Sequence, residues 1–250
     1  MNDNINKKAI FFVIMLGSFL VPVIVSSINI ALPVIGKEFE TNAVTLSWIA
    51  GVYLLVAAMF MLPSGKLGDI YGRRKIFTIG IIIYTFSSLG CGFAPNIEVL
   101  LFFRLIEGAG ASMLFGNSVA ILMSVFQAGE RGKVIGINVA VVYLGLSVGP
   151  FIGGFLTQYL GWRSIFIITF FLGISIISVI LTKLKTEWGE KYPDKFDLKG
   201  TLTYCAALSL MLYGASVLPD AAGWIFLIAG IFFLILFFKI ELNGDSSLIE

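Results

Sequence analysis

The sequence contains no histidine and only two cysteines, and each scarcity excludes a kind of chemistry. Without histidine, the common zinc sites and His-based acid–base or nucleophilic catalysis have no basis. Cys91 and Cys205 fall in separate apolar runs, so a disulfide framework is not indicated either. We therefore predict a non-enzyme with no catalytic residue, no metal and no cofactor.

Charge is the second scarce property of this chain. Charged residues make up 13% of its 250 residues and apolar residues 58%, whereas soluble domains are about 25% charged. The net charge of +2 comes without a long basic block, so there is no electrostatic footprint for nucleic acid. The composition predicts an integral membrane protein whose surroundings are the lipid bilayer.

Apolar runs of about 20 residues, the length that spans a hydrocarbon core as a helix, recur along the chain. The first follows Lys7 and Lys8 and is too long for a cleaved signal peptide, so we predict that it is retained. Gly, Pro or charged residues separate the runs. Eight are predicted as membrane helices of an all-α protein: 10–35, 45–64, 76–94, 98–125, 133–158, 163–183, 199–218 and 222–241.

The distribution of lysine and arginine predicts the orientation. With the N-terminus inside, 14 of the 17 basic residues fall in inside segments, Lys37 and Arg163 fall outside, and Arg104 lies within the fourth run. An excess of positive charge marks cytoplasmic loops. Both termini are therefore predicted to be cytoplasmic, in a multi-pass protein of the plasma membrane.

The segment between the second and third runs reads G-K-L-G-D-I-Y-G-R-R-K, residues 65–75. It resembles the signature cytoplasmic loop of the major facilitator superfamily, and the resemblance implies a latch that holds the two halves of a transporter together. Arg73 and Arg131 are the expected partners of Asp69. A basic loop that only fixes orientation is the alternative. The candidate latch residues are Gly65, Gly68, Asp69, Gly72, Arg73, Arg74 and Arg131.

The fifth run carries small residues four apart, followed by a proline. This pattern resembles the motif associated with antiporters in the same superfamily, which implies a kinked face packed against the other half. The alternative is a general packing face, because small residues at this spacing let any two membrane helices approach closely. The motif residues are Gly145, Gly149, Pro150, Gly153 and Gly154.

Arg104 and Glu107 are the ionisable residues deep in the predicted bilayer, and their spacing places them on one helix face. A charge there costs at least about 2.5 kcal/mol, so such residues pair and face protein or water. We predict Glu107, with Arg104, as the proton-coupling site. A permanent structural ion pair is the alternative. The superfamily often has glutamine at the position of Glu107.

The end of the first run, S-S-I-N-I-A-L-P at residues 26–33, resembles a drug-transporter signature, although Ile24 stands where that signature has aspartate. Glu107 is then the carboxylate left for coupling. The polar residues Asn29, Tyr53, Asn117, Asn138 and Tyr143 are candidates for lining a substrate cavity. Interhelical packing is the alternative for each of them.

Taken together, the motifs resemble the N-terminal half of a 14-span drug/proton antiporter of the multidrug resistance type. The resemblance implies a six-helix bundle (1–183), a cytoplasmic linker (184–198) and two additional helices with a short tail (199–250). It also implies proton-coupled efflux of hydrophobic or amphipathic solutes or drugs. The missing half could be a longer chain or a second copy, and an accessory or truncated membrane protein that transports nothing is the alternative function.

Overall fold

The computed structural model describes residues 6–184, 187–188 and 196–243. Within these ranges it contains eight α-helices and no strand, which confirms the predicted all-α class. Each helix corresponds to one predicted run. In chain order they are α1 (Lys7–Glu38), α2 (Ala43–Tyr71), α3 (Arg73–Gly92), α4 (Ile97–Val125), α5 (Ala128–Tyr159), α6 (Arg163–Lys183), α7 (Leu198–Ser216) and α8 (Ala221–Asn243).

Seven of the eight helices in the described ranges are long and apolar enough to span a membrane, and α7 is the exception. Its sequence includes Lys199 and several Thr, Ser, Tyr and Gly residues, which lower its hydropathy. That α7 crosses the bilayer therefore stays a prediction. The chain is a multi-span membrane protein either way.

Several helices begin at a side chain that caps the first turn. Asn6, Asn42, Asn96 and Asp197 accept hydrogen bonds from backbone N–H groups three residues later, at 2.8–3.1 Å. Such a cap satisfies one of the donors that a helix start leaves unpaired. The caps fix where α1, α2, α4 and α7 begin.

Residue contacts show that α1 to α6 form one bundle of alternating direction. Gly108 of α4 lies against Tyr53 of α2, and Gly116 lies against Met61, so these two helices run parallel. The contacts of the other glycines likewise show that α1 and α5 run parallel, whereas α3 runs antiparallel to α4 and α6. Alternating directions are what successive passages through a bilayer require.

The predicted loop at residues 65–75 is wrong in extent. Helix α2 continues to Tyr71 and α3 begins at Arg73, so Gly72 is the single residue between them. The backbone φ of Gly72 is 107°, a conformation that side chains with a Cβ rarely adopt. Because α2 packs along α4 through Gly65 and Gly68, it stays helical where the glycines indicated a loop.

Helices α7 and α8 form an antiparallel pair that contacts the bundle at α2. The Tyr204 hydroxyl donates to the Ala58 carbonyl at 3.4 Å, and the Cys205 thiol lies 3.5 Å from the Met59 carbonyl oxygen. Most of the predicted linker, 185–186 and 189–195, lies outside the described residues, as does the tail after 243. The proposed domain boundaries stay predictions.

Trp188, in the predicted linker, is buried. Its ring centroid lies 5.9 Å from that of Phe77, and its carbonyl accepts from the Ser124 hydroxyl at 2.6 Å. The side chain of Glu187 accepts from the Arg74 backbone N–H at 2.7 Å, at the start of α3. This part of the linker is therefore packed on the bundle.

Candidate functional site

The structure brings Arg104 and Glu107 together as an ion pair inside the bundle. Arg104 Nη1 lies 2.7 Å from Glu107 Oε2, and both side chains are 0% exposed. Arg104 Nε also donates to the Ile49 carbonyl at 3.0 Å. The guanidinium carbon lies 4.1 Å from the ring centroid of Tyr53, within cation–π range. Residues of α2 and α4 thus hold the arginine on three sides.

Sequence reasoning missed part of the surroundings of this pair. Cys91 of α3 has its sulfur 3.9 Å from Glu107 Oε2, and Tyr84 of α3 is fully buried nearby, with its backbone against Gly110 of α4. Neither residue stood out, because tyrosine and cysteine in an apolar run are common packing residues. Only the antiparallel packing of α3 on α4 brings them beside Glu107.

Four buried polar atoms in this region make no hydrogen bond of good geometry with another described residue. They are Glu107 Oε1, Arg104 Nη2 and the hydroxyl oxygens of Tyr53 and Tyr84. Buried polar atoms in proteins nearly always have a partner in the protein or in ordered water. The ion pair therefore retains hydrogen-bonding capacity beyond its mutual contact.

An apolar cavity of about 340 Å³ adjoins the pair, between α1, α2, α4 and α5. Tyr53 lines this cavity and lies between it and Arg104. Ser112 also lines the cavity, and its hydroxyl donates to the Ala109 carbonyl at 2.7 Å. The remaining lining residues are Val21, Pro22, Val25, Leu54, Ala57, Ala58, Met61, Phe115, Val142 and Leu146.

The other four predicted cavity residues do not line this cavity. Asn117 is buried between helices and donates to the carbonyls of Ser64 at 3.1 Å and Met113 at 2.9 Å, which makes it an interhelical contact. Asn138 is also buried. Asn29 and Tyr143 lie on the exposed surface of the chain. A polar residue in a span pairs with a neighbouring backbone as readily as it lines a site.

The residues of the predicted latch are held by a different set of contacts from the expected one. Asp69 pairs with Arg73 as expected, with Arg73 Nη2 2.7 Å from Asp69 Oδ1. Arg73 Nη1 also donates to the Ala120 carbonyl of α4 at 2.9 Å. The predicted contact of Arg131 with Asp69 is wrong, because Arg131 Nε donates to the Phe126 carbonyl at 3.2 Å, beside the start of its own helix.

Gly68 and Arg74 also have specific roles in this part of the bundle. A Cβ on Gly68 would lie 1.7 Å from Asn117 Oδ1, so α2 and α4 approach too closely there for a side chain. Arg74 Nε donates to the Leu184 carbonyl at the end of α6. The signature segment thus ties together α2, α3, α4 and the residues that follow α6.

The antiporter motif faces α1 of the same bundle rather than an open side. A Cβ on Gly145, Gly149 or Gly153 would lie within 2.8 Å of a backbone atom of α1. The Ser27 hydroxyl donates to the Gly149 carbonyl at 2.7 Å. The expectation that this face packs against the other half of a transporter is therefore wrong for these three glycines. Helix α5 is continuous through Pro150.

The bundle and its site define a class of protein: a multi-span helical membrane protein with a buried ion pair beside an apolar cavity. The sequence profile of the Major Facilitator Superfamily matches residues 14–240. The chain belongs to this superfamily of membrane transporters.

Two curated relatives and one solved structure place the chain within the family. The riboflavin transporter RibZ of Clostridioides difficile is 32% identical over 244 residues, which cover 98% of this chain and 53% of that protein. The multidrug resistance protein Stp of Mycobacterium tuberculosis is 33% identical over 210 residues, which cover 84% of this chain and 39% of that protein.

The solved structure of the proton:xylose symporter XylE has a TM-score of 0.61 with 14% sequence identity. The superposition covers 96% of this chain and 55% of that one. At this identity the likeness shows the fold alone. The chain spans about half the length, or less, of these relatives.

Proposed function

We propose that this chain supplies one half of a secondary active transporter that exports hydrophobic or amphipathic solutes in exchange for protons. The observation that carries the proposal is the fully buried Arg104–Glu107 pair beside an apolar cavity. An ion pair in this place costs desolvation energy, which replacement by apolar residues would avoid. A role in proton coupling accounts for the presence of this buried ion pair.

The cavity supports the choice of solute class. Apart from Tyr53 and Ser112, its lining consists of aliphatic side chains together with Pro22, Met61 and Phe115. Binding there would be driven by burial of apolar surface, with few groups to select one polar solute. The names of the relatives, a riboflavin transporter and a multidrug resistance protein, are in keeping with planar or amphipathic organic solutes.

Glu107 is the proposed proton carrier because a carboxylate can take up a proton, whereas a guanidinium stays charged. With Glu107 ionised, the pair is neutral as a unit. When Glu107 accepts a proton, Arg104 loses its counter-charge and the local arrangement changes. Such a change is what alternating access needs, because the two halves rock about a site near the membrane midplane.

The exposed face of α5 supports the half-transporter part of the proposal. Phe151 is 80% exposed, and Phe155 and Tyr159 on the same helix are more than half exposed. A second six-helix half, on a longer chain or a second copy of this one, would cover this face or the cavity mouth beside it. With α7 and α8 following the six-helix bundle, we assign the chain to the 14-span branch, with both termini cytoplasmic in the plasma membrane.

The segment around Asp69 is the proposed latch between conformations. Asp69 and Arg73 are partly exposed at the junction of α2 and α3, and Arg73 reaches across to α4. A charge pair in this position can exchange partners when a second half approaches. Arg74 would transmit such a change to the residues after α6 through its contacts with Leu184 and Glu187.

The test is solute-evoked proton movement in sealed everted vesicles that contain only this chain. After the lumen is acidified, addition of riboflavin or rhodamine 6G should release protons from the wild type. Glu107→Gln should abolish the release, because an amide cannot carry a proton. Glu98→Gln, an exposed carboxylate at the start of the same helix, is the matched control and should keep it.

Two outcomes would contradict parts of the proposal. Proton release that survives in Glu107→Gln would remove Glu107 from the coupling mechanism. No release from a correctly inserted wild-type chain would contradict transport by this chain alone. The chain would then be either one part of a longer transporter or an accessory protein. The superfamily often has glutamine at this position, so Glu107→Gln is expected to fold.

A further inference from the structure

Tyr53 occupies a position between the cavity and the buried ion pair. Its side chain lines the cavity, yet it is only 2% exposed, and the face of its ring covers Arg104 at 4.1 Å. One turn earlier on α2, the Ile49 carbonyl accepts from Arg104 Nε. The same turn of α2 therefore binds the arginine and separates it from the cavity.

The hydroxyl groups next to the pair are the second observation. Tyr53 OH, Tyr84 OH, Glu107 Oε1 and Arg104 Nη2 come from α2, α3 and α4, are fully enclosed, and make no hydrogen bond of good geometry with another described residue. Together they offer donors and acceptors of both kinds. A buried water molecule typically makes about three hydrogen bonds to groups of this type.

We propose that Tyr53 is the gate through which Glu107 exchanges its proton with the cavity, and that the hydroxyls of Tyr53 and Tyr84 hold a water molecule that carries this proton. The proposal deepens the proposed function and rests on it for its role in transport. Tyr53 is a positioning residue here, since it controls access to Glu107 and carries no net charge change.

The proton step balances without any further reactant. The Glu107 carboxylate takes a proton from the bound water, and that water takes one from the Tyr53 hydroxyl. The hydroxyl is restored by a proton from the cavity side. Release follows the reverse order, so each tyrosine ends unchanged and the net result is one proton on or off Glu107.

The cavity position of Tyr53 gives a physical route for coupling. A planar or apolar solute in the cavity competes with Arg104 for the face of the Tyr53 ring. When the ring turns toward the solute, the path to Glu107 opens. Solute occupancy and proton exchange at Glu107 then depend on the same side chain. A purely structural tyrosine would seal the core without responding to the solute.

The test measures access to Glu107 directly, with no transport required. Dicyclohexylcarbodiimide reacts with protonated carboxyl groups in apolar surroundings, and mass spectrometry of the peptide around Glu107 gives the labelling rate in proteoliposomes. Tyr53→Ala should raise the rate at least tenfold. Phe60→Ala, which also truncates an aromatic side chain of α2 but lies outside the cavity lining, should leave it within twofold. Rhodamine 6G should raise the rate in the wild type.

A second measurement tests the role of the two hydroxyl groups. It does not depend on whether Tyr53→Ala folds correctly. Tyr53→Phe and Tyr84→Phe keep the rings and remove the hydroxyls. At a pH low enough to protonate Glu107, each should slow hydrogen–deuterium exchange of the Glu107 carboxyl group at least fivefold, followed by the infrared carboxyl stretch. The infrared band is assigned by its loss in Glu107→Gln.

The outcomes separate this inference from the proposed function. Labelling of Tyr53→Ala within twofold of the wild type would overturn the gate. Unchanged exchange in both phenylalanine variants would overturn the hydroxyl and water part. If Tyr53→Ala opens Glu107 but the wild type shows no solute-evoked proton release, the gate stands and the transport proposal fails.

Discussion

Glu107→Leu is expected to destabilise the folded chain by about 3 to 5 kcal/mol, the cost of leaving one member of a buried pair uncompensated. Arg104→Leu should cost less. A lone buried carboxylate can accept a proton and become neutral, whereas a lone guanidinium stays charged. Because both side chains are fully enclosed, solvent cannot relieve either charge. The measurement is reversible unfolding in detergent, followed by tryptophan fluorescence.

The double variant Arg104→Leu/Glu107→Leu provides the control for this prediction. It removes both charges and should recover most of the stability lost in Glu107→Leu, because replacing a buried pair by apolar residues is often neutral or better. It should remain inactive in proton release. If both single variants and the double variant lost the same folding stability, the result would contradict the ion-pair account and indicate a packing effect instead.

Gly149→Val is expected to separate α1 from α5 and to cost about 3 kcal/mol of folding stability, the upper part of the range for overpacking a well-packed core. A Cβ there would lie 1.8 Å from Ser26 Oγ and 2.7 Å from the Val23 carbonyl oxygen. The serine hydroxyl can rotate away, but the backbone carbonyl cannot. The variant would also disturb Ser27, which donates to the Gly149 carbonyl.

Gly154→Val is the matched control, since it is the same substitution in the same motif. The nearest atom to a Cβ on Gly154 is Ile30 Cγ2 at 3.8 Å, an ordinary contact. Its effect should stay within about 0.5 kcal/mol, because the added side chain meets no close neighbour. Thermal unfolding of the two variants side by side measures the difference. A similar loss in both would show that the motif tolerates no valine anywhere and that the α1 contact is not the cause.

The helices could be predicted from the sequence because apolar runs of membrane-spanning length have few other structures available to them. The junction at residues 65–75 could not be placed by composition, since glycine indicates a break as readily as a close helix contact. Position 68 requires glycine because Asn117 of α4 approaches the backbone too closely for a side chain. At Gly72 the positive φ is the reason, and the helix ends there.

Some residues of the site could also be predicted from the sequence, and others could not. Arg104 and Glu107 were predictable because charge inside an apolar run must be paired. Tyr84 was not, because a buried tyrosine is ordinary and its place beside Glu107 depends on the packing of α3 against α4. Asn117 is predicted to line a cavity, but its amide nitrogen donates to backbone carbonyls of α2 and α4. Sequence spacing does not distinguish these two uses of a polar residue.

The central claim is that Glu107 couples solute movement to protons, and gradient-driven accumulation of rhodamine 6G in everted vesicles tests it most directly. The account predicts that an acidic lumen drives accumulation by the wild type. In Glu107→Gln that accumulation should be lost while solute–solute exchange at equal pH persists. Accumulation that is equally strong in Glu107→Gln would contradict the account, because the buried pair would then be structural only.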